Sequence, residues 1–446
     1  MSFKFKLIGR VMAGLLVAPT LYAVDLIGVH DLALKSDPQL QAAEFRRQSA
    51  GENKSIARAN LLPQISGSAA MTRGQTETNF AAVNVDSDVD TENYTVDLRQ
   101  SLYRQANYEQ LDVARGQISQ AEAVYQVAFQ DFLLRVSEAY FQVLTLTDGV
   151  TFAEAEEKAF KRQFEQAEQR FEVGLTAVTD VLEARATYDN ARARAIVARN
   201  DLADAKEQLR ELTGQYFEVF DPLQEVLPLV EPDPISVETW VETALRNNPS
   251  VLSSRAATDI ADANMRLARA GHFPTLDLVA RYSRFIDNER LLVLQEPPLF
   301  SKLQVDDSQI QVVLDIPLFE GGRVNAQTRQ ARYLLDATGQ DLDGVQRATV
   351  SQTRNAYRAV MAGIQEVQAF EQASISAESA LEATQAGFEV GTRTIVDVLI
   401  AEQRRFQAQR DSSVARHAYI IRHLRLKGVA GLLESEDLRI VNDLLE

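Results

Sequence analysis

The chain has 446 residues, with 63 acidic against 46 basic side chains, a formal net charge of −17 and no cysteine. Without cysteine there can be no disulfide, thiolate metal site, Cys nucleophile or acylated N-terminal Cys of a lipoprotein. The acidic balance argues against a nucleic-acid partner, which would need Lys and Arg to neutralise phosphates, and fits a surface or lumen that favours cations.

Residues 1–23 have the layout of a secretory signal peptide: Lys4, Lys6 and Arg10, then a mostly apolar run from Val11 to Leu21, then Leu21-Tyr22-Ala23 as a cleavage site. Its removal takes three positive charges and leaves −20. A short buried or amphipathic helix is the alternative reading of this segment. No other stretch approaches the ~20 apolar residues of a membrane-spanning helix.

Residues 24–214 form a first structural repeat. It opens with Ala33-Leu34-Lys35-Ser36-Asp37-Pro38 and continues into a weak strand from Gln64 to Thr72. Tyr94, Val96, Leu98 and Leu102 then alternate with Thr95, Asp97, Arg99 and Ser101, a second strand beyond the polar loop Thr76–Glu92. From Arg104 to Val173 there is no proline, so one helix of up to 70 residues is allowed, about 100 Å long. Phe160, Phe164, Ala167 and Phe171 lie along it with coiled-coil spacing. Gly174 ends it, and a returning helix is expected from Thr179 to Leu212.

Asp221-Pro222, Pro228, Pro232 and Pro234 mark residues 215–236 as a linker, and residues 237–431 then repeat the first half. Ala244-Leu245-Arg246-Asn247-Asn248-Pro249 answers the segment at Ala33, and a helix from Ser236 to Ala270 is expected. Strands follow over 275–283 and 310–318, separated by the polar loop Asn288–Ser308. Phe388-Glu389-Val390-Gly391 answers Phe171-Glu172-Val173-Gly174 at an offset of 217 residues, and Val429-Ala430-Gly431 answers Leu212-Thr213-Gly214. A period this long is a duplicated half-protein, not a solenoid. A tail of residues 432–446 ends the chain.

Each strand of about ten residues, apolar on one face only, matches the wall of an outer-membrane barrel, although a soluble β-sandwich would alternate in the same way. In lipid, four strands cannot close a barrel and open edges are not tolerated, so several chains would have to share one.

This set of motifs resembles the TolC family of outer-membrane efflux and secretion ducts, from about residue 25 to 445. The resemblance rests on the two Asx-Pro segments, on Leu314-Asp315-Ile316-Pro317-Leu318-Phe319-Glu320-Gly321-Gly322, and on the two Val-Gly turns. Gly391-Thr392-Arg393-Thr394-Ile395-Val396-Asp397-Val398-Leu399 is especially close. It implies an α+β membrane protein: a homotrimer sharing a twelve-stranded transmembrane β-barrel, four strands per chain, continued by a periplasmic α-helical coiled-coil tunnel. The linker and the tail would form an equatorial belt. The implied function is a passive duct from an inner-membrane translocase of RND, ABC or MFS type to the exterior, through a periplasmic adaptor, set in outer-membrane lipid.

The site residues follow from the same resemblance. Gly174, Leu175, Thr176, Gly391 and Thr392 form the tips that dock the adaptor, and Arg393 stands beside them. Asp397 would project into the closed entrance, three copies making a carboxylate ring able to bind cations, the only candidate metal site. Arg393 would reach toward Thr179 and Asp180, with Gln163 nearby on the outer helix, to hold the entrance shut. The chain departs from the family pattern at Phe388, where a tyrosine hydroxyl is missing, and at Ile400, where a second aspartate is missing. A gate with fewer polar links and a single acidic ring is therefore expected. Asp180, read alone, also suits a helix N-terminus.

No catalytic residue, cofactor or enzymatic activity is expected. His30, His272, His417 and His423 are scattered, and the last two are six apart, off the i, i+4 spacing of a helical metal pair. The competing reading is a periplasmic coiled-coil adaptor or scaffold without a channel.

Overall fold

A computed structural model describes residues 23–80, 83–292 and 299–446, so the expected signal segment up to Tyr22 lies outside the described residues. Three short helices open the chain: α1 (Leu26–Ser36), α2 (Pro38–Gly51) and α3 (Asn53–Ala59). Strands β1 (Gln64–Phe80) and β2 (Val83–Arg104) form a hairpin that leads into α4 (Gln105–Glu172) and α5 (Val178–Thr213). The second half repeats this as α6 (Val237–Asn247), α7 (Pro249–Arg269), β3 (Thr275–Leu292), β4 (Leu299–Asp315), α8 (Arg323–Glu389) and α9 (Ile395–Val429), with α10 (Ser435–Asn442) in the tail.

With no proline to remove a donor, α4 runs for 68 residues and α8 for 67, each about 100 Å. Among the described residues, no helix is long and apolar enough to cross a membrane.

The helix expected from Ser236 to Ala270 is in fact two. Proline disfavours the helical conformation in the residue before it, and Asn248 is extended, with φ −60° and ψ 122°. Its side chain then caps α7 by accepting from the N–H groups of Ser250 and Val251. Asp37 does the same ahead of Pro38, accepting from the Gln39 N–H and, at 2.6 Å, from Arg135. The duplicated Asx-Pro is thus a hinge between consecutive helices.

The four strands make one antiparallel sheet in the order β1-β2-β3-β4. They span 17, 22, 18 and 17 residues, about twice the expected ten. The segments read as polar loops, Thr76–Glu92 and Asn288–Ser308, are strand wherever they are described. Pairing continues there because backbone bonds and cross-strand ion pairs such as Arg284–Asp306 need no apolar face. Nearer the helices the two faces differ. Ile65, Val96, Ile310, Val312 and Leu314 are exposed on one. On the other, Arg281 pairs with Asp97, and Arg99 and Arg104 both reach Asp277.

The main core lies midway along the helices, where α1, α4, α5, α9 and the tail meet around Phe132, Leu133, Tyr140 and Phe141. The Tyr140 hydroxyl donates to the Asp221 carbonyl at 2.9 Å, fixing the linker to α4. The linker also meets the tail: the Gln224 N–H donates to the Leu444 carbonyl and the Glu446 N–H to the Pro222 carbonyl. Gly431 has φ +72°, and a Cβ there would lie 2.4 Å from the Asn247 carbonyl oxygen, so only glycine fits this crossing.

Candidate functional site

The helices α4/α5 and α8/α9 form two long hairpins whose turns, at Gly174 and Gly391, are built alike. Gly391 has φ +81°, its N–H donates to the Phe388 carbonyl, and the Thr392 N–H reaches back to Gly387 at 2.8 Å. Gly174, at φ +76°, repeats this, with the Leu175 N–H donating to Arg170. This is the Schellman arrangement, which satisfies the last carbonyls of a helix and requires a left-handed residue at its centre. Val173, Leu175 and Val390 are strongly exposed beside the glycines, so both tips present apolar side chains to solvent.

The returning helices start differently. Thr394 caps α9: its hydroxyl accepts from the Asp397 N–H, while Asp397 Oδ2 accepts from the Thr394 N–H at 2.9 Å and the Thr394 hydroxyl at 2.9 Å. The backbone N–H of Thr394 above all, then its hydroxyl and the nearby Arg393 charge, hold the Asp397 carboxyl below its ordinary range. Asp397 is therefore a carboxylate at neutral pH. In α5 the cap is Ala177, which makes no side-chain bond; the Thr176 hydroxyl donates instead to Asp180.

The structure does not join the polar link expected at this end. Arg393 makes no ion pair with Asp180 among the described residues; its stem lies against Gly387. Thr179 is exposed and caps nothing. Gln163 sits ten residues before Val173, about 15 Å up the helix from the tip. Near the turns, Arg170 of α4 reaches α8, its guanidinium 4.8 Å from the centre of the Phe388 ring. No spacing in the sequence pairs residues 218 positions apart, so this contact had no local signal.

An apolar cluster continues the junction. Phe160 and Ala167 of α4, Ala184 and Ala191 of α5, and Ile395 and Leu399 of α9 are buried together, with Phe388 packed against them. Phe388 is thus held by packing and by a cation over its ring. Ile400 is partly exposed at the other side of α9.

The histidines lie apart from the tips. His417 is buried in the central core against Thr145, and burial pushes its pKa down to about 4, so it is neutral at pH 7. Among the described residues no group of three His, Cys, Asp or Glu is placed to hold a metal ion.

The profile of outer membrane efflux proteins matches residues 29–215 and 240–432, one block for each half. The chain belongs to this family. It is 36% identical to the outer membrane protein TolC of Vibrio cholerae over 426 residues, covering 96% of this chain and 95% of that protein. It is 31% identical to the alkaline protease secretion protein AprF of Pseudomonas aeruginosa, over 96% of this chain and 88% of that one. Among solved structures, the outer membrane protein VceC of Vibrio cholerae superposes with a TM-score of 0.74 at 20% identity, covering 91% and 96% of the two chains. The protein is accordingly an outer-membrane duct, with its helical hairpins on the periplasmic side. The family and fold are those of channel proteins, and the adaptor alternative finds no support among these relatives.

Proposed function

We propose that three copies of this chain close one twelve-stranded barrel and one helical tunnel, and that the assembly conducts drugs or proteins from an inner-membrane translocase and its adaptor to the exterior. The observation that carries this is the open sheet. Strands β1 and β4 each leave a 17-residue edge without a partner among the described residues, next to an exposed apolar face. Lipid offers no hydrogen bonds to such edges, so β4 of one copy must meet β1 of the next.

In this reading the chain divides into a signal peptide over 1–23, two repeats over 24–214 and 237–431, a linker over 215–236 and a tail over 432–446. The tips at Gly174, Leu175, Thr176, Gly391 and Thr392 dock the adaptor. Three Asp397 carboxylates ring the entrance and attract cations. Ile400 adds an apolar constriction in place of a second acidic ring.

The test is single-channel conductance of the detergent-purified protein in a planar bilayer, with a trivalent cation added on the tip side. Wild type should conduct weakly with cation preference and be blocked, and Asp397→Ala should relieve the block by tenfold or more. Conductance with unchanged block in Asp397→Ala would keep the duct and remove the ring; a wild type without conductance would remove both.

A further inference from the structure

The surroundings of His417 decide which of its ring nitrogens carries the proton. The Thr145 hydroxyl donates to the Phe141 carbonyl at 2.7 Å, so it accepts from His417, whose Nδ1 lies 2.9 Å away. Burial keeps the ring neutral at pH 7, and a neutral imidazole that donates through Nδ1 has a lone pair on Nε2. His417 is only 5% exposed, yet nothing donates to that Nε2 among the described residues. Buried acceptors without a donor are rare.

His417 lines a cavity of about 700 Å³ beside the linker, a volume suited to a small ligand. Its walls come from α4, α5, α8, α9, the linker and the tail of a single chain. Leu144, Phe152, Leu202, Phe220 and Leu223 supply apolar surface. Four carboxylate side chains, those of Asp148, Glu218, Glu225 and Glu446, face it with two cations, Lys206 and Arg416. Both cations are engaged by linker carbonyls: Lys206 donates to that of Glu218 at 3.0 Å, and Arg416 to that of Gln224. Among the described residues, none of the four carboxylates is in an ion pair. Asp148 accepts from the Ser413 hydroxyl through Oδ2, leaving Oδ1 without a donor. It follows Thr145 by one turn of α4, as His417 follows Ser413 by one turn of α9, and its charge acts on the His417 ring. Two acceptors in want of a donor therefore stand together at this cavity.

We propose that the cavity is a binding site for a small, free organic ammonium with an aromatic body. An ammonium has three N–H donors and no acceptor, so one group can serve both His417 Nε2 and Asp148 Oδ1. Its charge meets an excess of carboxylates, and the bond to Asp148 is charge-assisted. The body lies against Phe152 and Phe220, where ring contacts add to the burial of apolar surface. An anion would find both cations occupied and a histidine nitrogen with no proton to give. An alcohol has one proton for two acceptors. Among the described residues no third His, Cys, Asp or Glu completes a metal site here. The site is built by one chain, so it stands or falls apart from the duct reading.

Calorimetric titration of the detergent-purified protein with benzylammonium tests this, and one molecule should bind per chain. Benzyl alcohol and benzoate have the same size and should bind at least tenfold more weakly. Nα-acetyl-lysinamide, which carries the ammonium of a protein side chain, should also be at least tenfold weaker. Asp148→Asn keeps the shape and the acceptor for Ser413 but removes the charge, and should weaken benzylammonium at least tenfold. Leu202→Trp fills the cavity from α5 and should abolish binding; it serves if the Asp148 variant does not fold. Absence of binding, benzoate binding as tightly as benzylammonium, or unchanged affinity in either folded variant overturns the site. Tighter binding of the lysine analogue overturns the free amine and gives the cavity to a protein partner.

Discussion

The two kinds of glycine in this chain are required for different physical reasons, and substitution should tell them apart. Gly391 needs only its left-handed backbone, since a Cβ there would meet nothing within 4 Å. Alanine at Gly391 should cost about 1–2 kcal/mol, the usual penalty of that conformation with a side chain. Gly431 carries the same penalty, and its Cβ would overlap the backbone of Asn247, next to the Asn248 side chain that donates to the Val429 carbonyl at 2.8 Å. The crossing cannot yield without displacing the start of α7. Gly431→Ala should therefore lower the midpoint of thermal unfolding clearly more than Gly391→Ala does. Equal shifts would mean that the crossing is soft.

At the scale of single elements, two carboxylates on α9 respond to pH in opposite directions. Asp397 is depressed by the Thr394 N–H, so the capping box adds stability above the ordinary carboxylate range and loses it as pH falls through the lowered value. The start of α9 should hold from neutral pH down through the ordinary carboxylate range and fray only below it. Hydrogen exchange at Val398 and Leu399 would show this, and Thr394→Ala should move the fraying to higher pH. Glu402 is raised by burial, against the opposing charges of Arg405 and Arg162 and with help from Glu156 and Glu378. Its contribution to stability is complete below the ordinary glutamate range and is lost as pH rises through the raised value. The midpoint of thermal unfolding should therefore fall as pH rises above that range, and Glu402→Gln should flatten the profile; an unchanged slope would mean that another group titrates. Sequence spacing carried the long helices and both turns, because helix ends are set by local residues. It could not carry Arg170 over Phe388 or Arg410 on Glu156, contacts made 218 and 254 positions apart by the packing of whole hairpins. Alternation marked only the part of a strand nearer the helices, since beyond it apolar residues such as Phe285, Ile286, Leu303 and Val305 fall on both faces and the pairing leaves no period-two signal.

For the whole molecule, the duplication gives each chain two copies of a strand hairpin followed by a helical hairpin, and the four strands still form an open sheet. In the proposed assembly closure depends on other copies, and the exposed face of the edge strand β4 meets lipid. Ile310, Val312 and Leu314 stand on that face at 79%, 62% and 60% exposure, with Gln309 and Gln311 on the other. A shift of one residue reverses the environment of a strand side chain completely. Val312→Arg places a guanidinium in hydrocarbon, at about 2–4 kcal/mol if near the bilayer midplane, whereas Gln311→Arg places the same group in a watery lumen at little cost. In outer-membrane fractions, Val312→Arg should be strongly depleted and Gln311→Arg should remain near wild type. Both variants add one positive charge to the same strand, so a difference between them reports the face and not the charge. Equal depletion would mean that neither face of β4 is a wetted wall, and the barrel would have to close in some other register.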